Sequence, residues 1–257
     1  MQPHKSEYWL YPKIEDWGLF VEQVELICNL ILDSTQKKYP NCHVVSVDEK
    51  SGIQALERYE ERGPKSRGFK KRKEYEYVRH GTNTLIAAVN VEDGKVLKHH
   101  QGPTRNESDY CDFIKELVNG LPELDQIVIL ADQLNTHVSE SLVLWIGELE
   151  GYEREELGEK EKKGILKSMK SRKLFLEKSA HRIRFVYTPK HCSWLNPIEN
   201  WFAKLQRHII TNGNFTSLAD LETKIDKYIL FYNKELARCA KWKFKGFTKG
   251  KKLKNAA

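Results

Sequence analysis

Gln126-Ile127-Val128-Ile129-Leu130-Ala131-Asp132 is an almost unbroken apolar run that stops on a carboxylate. Side chains of an extended chain alternate between two faces, so a run that is apolar at consecutive positions describes a strand covered on both faces. A second run of this kind stands upstream. His43 to Asp48 (HVVSVD) follows the breaker cluster Tyr39-Pro40-Asn41, is rich in β-branched residues, and also ends on a carboxylate. Between the two, Glu74 to His80, Gly81, and Thr84 to Val91 close at Glu92-Asp93-Gly94 before Lys95 to His99. That punctuation predicts a meander of two or three antiparallel strands. Ser108 is placed to cap a helix running to about Val118, with Tyr110, Phe113, Ile114, Leu117 and Val118 on one stripe.

Outward from this centre, an extended lead from Tyr8 to Lys13 precedes a helix from about Asp16, with Phe20, Val24, Ile27 and Ile31 at helical spacing. Beyond Asp132 a helix is expected over roughly His137 to Glu150. Residues 151–180 are dense in both charge signs and read as an insertion, helical in part. Arg182 to Tyr187 returns to strand character, and Thr188-Pro189-Lys190 breaks it. Asn196 then suits an N-cap with Pro197 at the first helical position and Ile198, Trp201, Phe202, Leu205 and Ile209 as the buried stripe. A last helix starts at about Ser217. The order strand, strand, strand, helix, strand, helix, strand, helix predicts an α/β fold. It matches a ribonuclease H-like mixed sheet, an antiparallel meander plus parallel strands, with helices on both faces and a charged, partly helical insertion. The expected organisation is a lead and helix over 1–41, the α/β domain over 42–235 with its insertion at about 151–180, and a basic tail over 236–257.

The composition excludes several classes. Of 257 residues, 40% are hydrophobic and 31% charged, which suits a soluble globular chain rather than a disordered or membrane-spanning one. The longest purely apolar run, Ile127 to Ala131, is far short of the ~20 residues of a spanning helix. Met1 to Leu10 lacks the build of a signal peptide, so a cytoplasmic place is expected. Five scattered cysteines, none in a C-x-x-C spacing, point to reduced thiols rather than to disulfides or a zinc knuckle.

The formal net charge is +7, and its position matters more than its size. Arg62 to Lys73 holds seven cations (Arg62, Lys65, Arg67, Lys70, Lys71, Arg72, Lys73) and no acid. Lys241 to Ala257 holds seven more, beginning Lys241, Lys243 and Lys245, with Trp242, Phe244 and Phe247 interleaved. The remainder therefore sits at −7. Two basic segments on an acidic body suit a phosphate-backbone partner, although solvated loops carry such charge as well.

Strand ends of an open α/β sheet meet over a crevice, where ligands bind. Asp48 and Asp132 close two strands, and Glu199 falls in the first turn of a helix, off its apolar stripe. Converging carboxylates repel one another unless a cation lies between them, and hard oxygen donors suit Mg2+ or Mn2+. Two such ions ~3.5–4 Å apart suit in-line phosphoryl displacement. Each residue also has a plain role: Asp48 as a turn former, Asp132 as a helix cap, Glu199 in an Asn-x-x-Glu capping box. Asn135 and His137 are placed to help position a scissile phosphate or a ligand, and Asn196 to support the site. Glu49, turned to the opposite face by strand alternation, is not counted among the ligands.

Four blocks carry a resemblance: Val45-Ser46-Val47-Asp48-Glu49-Lys50; Arg79-His80-Gly81-Thr82 leading into Leu85 to Val91; Leu130-Ala131-Asp132-Gln133-Leu134-Asn135-Thr136-His137; and Tyr187 to Phe202, whose Trp194-Leu195-Asn196-Pro197-Ile198-Glu199 is the most specific part. From about Tyr8 to Lys245 the chain resembles the catalytic domain of mariner-like DDE transposases from bacterial insertion sequences. The resemblance implies Asp48, Asp132 and Glu199 as the catalytic and metal-binding triad, with two Mg2+ or Mn2+ ions. It implies cleavage and strand transfer on double-stranded DNA, commonly at a TA step, by a nucleoid-associated bacterial protein, with a homodimer as the expected assembly. Family members usually begin with a paired helix-turn-helix, and nothing of that size precedes Tyr8, so a separate helix-turn-helix polypeptide from an upstream frame is an expected partner. Two further departures are Gln133, where the family often has Asn, and the 67-residue step from Asp132 to Glu199. A non-catalytic DNA-binding remnant and a structure-selective nuclease are the competing functions.

Overall fold

The computed structural model describes residues 14, 16–58, 61–62, 72–73, 76–244 and 246. One five-stranded sheet organises them. Its strands are β1 (Cys42–Glu57), β4 (Val78–Asn90), β5 (Val96–Gly102), β6 (Gln126–Ala131) and β7 (Ile183–Tyr187), in the order β5-β4-β1-β6-β7. β5, β4 and β1 are antiparallel neighbours, while β1, β6 and β7 run parallel, which is the expected mixed sheet. A separate ribbon pairs β2 (Glu61–Arg62) with β3 (Arg72–Lys73). Part of the basic window expected as a loop is thus a short hairpin ribbon, holding Arg62, Arg72 and Lys73. Lys65, Arg67, Lys70, Lys71 and Lys245 lie outside the described residues.

The register places the strand ends. β1 pairs with β6 only from Cys42↔Gln126 to Ser46↔Leu130, whereas its ladder with β4 continues to Glu57↔Val78. Asp48 therefore does not end its strand, as the sequence suggested. It stands just past the point where β6 leaves it, and the β4 ladder, with register shifts between Lys50 and Ile53 and between Ala55 and Leu56, carries β1 on for nine more residues. Asp132 directly follows the last residue of β6. Both carboxylates thus lie where the parallel β1–β6 pairing ends, in the middle of the sheet.

Alternation along the strands builds two faces. Val45, Val47, Ile86, Ala88, Ile127, Ile129 and Ala131 pack against α2 (Glu107–Asn119), α3 (Glu140–Leu149) and α5 (Met169–Leu176). On the other face Val44, Val128, Leu130 and Val186 meet α1 (Trp17–Thr35), and Leu85, Ala87 and Val89 meet α6 (Ile198–Leu205) and α7 (Leu218–Phe231). Each fully buried aliphatic side chain of this kind contributes roughly 1.5–3 kcal/mol, so a central strand such as β6 is strongly held. The charged insertion is anchored too. It contains α4 (Arg154–Leu157) and α5, and it contributes Leu157, Leu166, Phe175 and Leu176 to the first core.

Three caps differ from expectation. Asn106, not Ser108, caps α2, because its side chain accepts from Asp109 N–H while Asp109 returns a bond to Asn106. The expected helix from His137 is divided: a 3-10 turn covers Asn135–Val138, and Ser139 caps α3. Asn196 does not cap α6, whose N-cap position is Pro197, and the Glu199 capping box is absent.

Candidate active site

Asp48 is buried, with 9% of its surface exposed. Its Oδ1 accepts the Glu49 N–H at 2.8 Å and its Oδ2 accepts from Asn196 Nδ2 at 3.3 Å. The same amide donates to Val47 O at 3.1 Å, while Asn196 Oδ1 accepts from the Ser46 hydroxyl. Ser46 Oγ in turn accepts from Ile198 N–H at 2.9 Å. The first residue of α6 is thereby tied to β1 two residues before Asp48. This is why Asn196 does not cap its helix: its amide is used across the fold, on the strand that carries Asp48.

Asp132 is held from the opposite side. Its Oδ1 accepts the Leu134 N–H at 2.9 Å and lies 2.7 Å from His137 Nδ1. His137 is fully buried, and its Nε2 lies 2.8 Å from Glu49 Oε1. The protein supplies an acceptor at each ring nitrogen: Glu49 Oε1 at Nε2, and at Nδ1 both Asp132 Oδ1 and the Asp132 backbone carbonyl, the latter 3.2 Å away. Burial alone would depress the imidazole, but the hydrogen bonds it donates to Asp132 and Glu49 outweigh it and raise its pKa to about 10.

The two aspartates titrate apart. Burial pushes Asp48 up to about 7, with Asp132 and Glu49 adding repulsion against the Glu49 N–H and His137. For Asp132 burial acts upward as well, but the His137 hydrogen bond and charge, with the Leu134 N–H and Arg105, hold the carboxyl below its usual value. Two neighbouring carboxylates pushed apart in this way mark a site with chemistry to perform.

Glu199 is half-buried in the first turn of α6, and Asn135 is exposed in the 3-10 turn after Asp132. Asp48 and Asp132 are thus brought together, and the start of α6, on which Glu199 stands, is tied to β1 through the Ser46 and Ile198 link. Among the described residues, no three His, Cys, Asp or Glu side chains form a ready ion-binding cluster. The donor set nonetheless fits Mg2+ or Mn2+. Such ions are commonly held by one or two carboxylates plus water and substrate phosphate, and Asp48 carries the electrostatic cost of facing Asp132.

Residues 43–222 match the model of the family described as DDE superfamily endonuclease. The chain belongs to the DDE superfamily of endonucleases. No curated protein sequence matches this DDE endonuclease. Among solved structures it is similar to the Mos1 transposase paired-end complex with the left transposon end, at TM-score 0.53 and 14% identity, over 89% of this chain and 61% of that one. It is also similar to the catalytic domain of Mos1 mariner transposase, at TM-score 0.51 and 12% identity, over 88% of this chain and 90% of that one. A third similar structure is the Mos1 mariner paired-end complex with Mn, at TM-score 0.52 and 14% identity, over 89% and 62%. The shared fold is that of a ribonuclease H-like nuclease domain, and the chain spans about three fifths of the length of the Mos1 chains seen in paired-end complexes.

Several residues packed around the two aspartates of this DDE endonuclease were passed over by reading motifs alone. Glu49 is the chief one. It continues the phase of Val45 and Val47, both core residues, so the pattern already placed a carboxylate on a buried face where it needs a partner. Ser46 gave a similar signal, a small hydroxyl in an otherwise apolar strand. Tyr187, whose hydroxyl donates to His137 O at 2.7 Å, reads in sequence as the end of a strand, and Tyr110, whose ring centroid lies 4.2 Å from that of His137, as part of a helix stripe. Of the tail, Lys241 and Lys243 are exposed, while Trp242 and Phe244 alternate with them and pack on the core that includes α1. No helix among the described residues is long and apolar enough to cross a membrane.

Proposed function

We propose that this chain is the catalytic domain of a mariner-type transposase, which cuts DNA strands at element ends and joins them to target DNA. The observation that carries the reading is the meeting of Asp48 and Asp132, from adjacent parallel strands, where the pairing of those strands ends in a ribonuclease H-like fold. In it Asp48, Asp132 and Glu199 hold Mg2+ or Mn2+, two ions in all. When bound, the ions activate the attacking oxygen and stabilise the leaving oxygen of the phosphodiester. The protein residues fix where this happens. Asn196 holds Asp48 against α6, so that Glu199 approaches from the helix start while Asp132 approaches from β6. Arg62, Lys65, Arg67, Lys70, Lys71, Arg72, Lys73, Lys241, Lys243 and Lys245 contact the DNA backbone on either side. Cutting two ends together favours a homodimer, with recognition of the terminal repeats supplied by a separate helix-turn-helix polypeptide.

The test is a nicking and joining assay on duplex DNA carrying the inverted repeats that flank the gene. Products should require Mg2+ or Mn2+ and vanish in Asp132→Ala. Activity that survives either removal overturns the reading. Salt-sensitive DNA binding without cleavage in any divalent ion would mark a binding remnant, and cleavage without joined products a nuclease.

A further inference from the structure

His137 and Glu49 form a buried hydrogen-bonded contact that the cleavage reading does not use. Glu49 is 1% and His137 0% exposed at the side chain, so neither meets DNA or solvent. Buried ion pairs seldom add net stability over apolar residues of similar volume, so one kept beside a candidate site calls for a role. Its geometry supplies one. The imidazole spans from Glu49 Oε1, at 2.8 Å, to Asp132 Oδ1, at 2.7 Å, and thereby links β1 directly after Asp48 to the residue that follows β6. The Tyr110 ring lies against it at 4.2 Å, tilted by 30°, and the Tyr187 hydroxyl holds the His137 backbone carbonyl. Asp132 Oδ1 is fully engaged by His137 and the Leu134 N–H. Its Oδ2 makes no hydrogen bond among the described residues.

We propose that Glu49 and His137 are positioning residues: the bridge fixes the rotamer of Asp132 and its distance from Asp48, and presents Oδ2 to the ion. The proposal rests on the reading of Asp48 and Asp132 as ligands. Partners that orient metal-binding groups typically change metal affinity ~10–100-fold when removed.

The test is Mn2+ affinity of the DNA-free chain, read by the loss of the free-ion spectrum in electron paramagnetic resonance, alongside melting temperature. Glu49→Gln keeps shape and an acceptor oxygen but loses the charge. It should stay folded, bind Mn2+ about 10-fold more weakly, and lower kcat with little change in KM for DNA. The double variant Glu49→Leu/His137→Phe removes both members of the fully buried contact and keeps a ring against Tyr110. It should fold and lose affinity toward 100-fold. Folded variants with wild-type Mn2+ affinity overturn the proposal, and so does unfolding of both, which would make the pair structural. Asp132→Ala separates the two readings. If it binds Mn2+ as well as wild type, the ligand assignment fails; if it loses Mn2+ while Glu49→Gln does not, only the positioning role fails.

Discussion

Asp48 and Asp132 stand together where the β1–β6 pairing ends, yet are held from opposite faces by opposite chemistry. On the α6 side Asp48 meets neutral donors, the Asn196 amide and the Glu49 N–H, in a buried place. On the α2 side Asp132 meets an imidazole raised to about 10, and it keeps 40% of its side chain exposed. Neutral hydrogen bonds do not offset the desolvation of Asp48, whereas a cationic partner more than offsets that of Asp132. The pair therefore offers an incoming cation one firmly ionised ligand and one whose charge the fold resists.

The largest expected effect uses one substitution at both places. Asp48→Asn and Asp132→Asn should each abolish strand cleavage, because each removes a proposed ligand charge. Their stabilities without metal should move in opposite directions. Asp48→Asn removes a buried, repelled carboxylate while preserving its shape, and should gain about 1 kcal/mol or more. Asp132→Asn weakens a charge-assisted hydrogen bond to His137 and should lose about 1–2 kcal/mol, the lower part of the range because the group is partly exposed. Urea unfolding of both variants in a chelator decides it, and shifts of the same sign would break the contrast between the two faces.

Much of this contrast was readable in the chain. The apolar runs ending at Asp48 and Asp132, the turn at Glu92-Asp93-Gly94, and the stripes of α1, α2, α6 and α7 follow from periodicity alone, and the observed sheet has the expected mixed order. The extent of β1 was not readable, since a strand continues wherever a neighbour continues its ladder, and β4 is a distant segment. Local propensity also favoured Asn196 as a helix cap. Tertiary bonding overrode it, because the buried Ser46 hydroxyl and the Val47 carbonyl needed partners. The Glu49–His137 contact joins residues 88 positions apart, and nothing in either neighbourhood names the other.

A smaller effect should come from the neutral side. Asn196→Ala strips Ser46 Oγ and Asp48 Oδ2 of a buried partner, for a loss of ~1–3 kcal/mol. Asn196→Ser should recover little, since its shorter side chain cannot reach β1 with both a donor and an acceptor. Cleavage in Asn196→Ala should fall because Asp48 and the start of α6 are no longer joined. Wild-type cleavage in a destabilised Asn196→Ala would show that Asp48 is held well enough by its own backbone.

The smallest effect concerns a second buried histidine on the face that holds His137. His181 is 3% exposed, packs on Phe175 with ring centroids 4.7 Å apart, and has no hydrogen-bond partner at either ring nitrogen among the described residues. Glu150 and Lys178 are the charged groups facing it, with opposed influence, and burial holds its pKa below the ordinary 6.5. Where His137 is held charged by two carboxylates, His181 is held neutral by its aromatic cage. Below pH 6.5 the unfolded chain takes up a proton that the folded chain refuses at this position, so this group costs stability as pH falls through that value. His181→Phe keeps a ring against Phe175 and Tyr152 but cannot be protonated. Its melting temperature should match or exceed wild type near pH 8 and should fall less steeply toward about pH 5. An equally steep acid-side fall would place the proton uptake on another group and leave the cage of His181 a matter of packing alone.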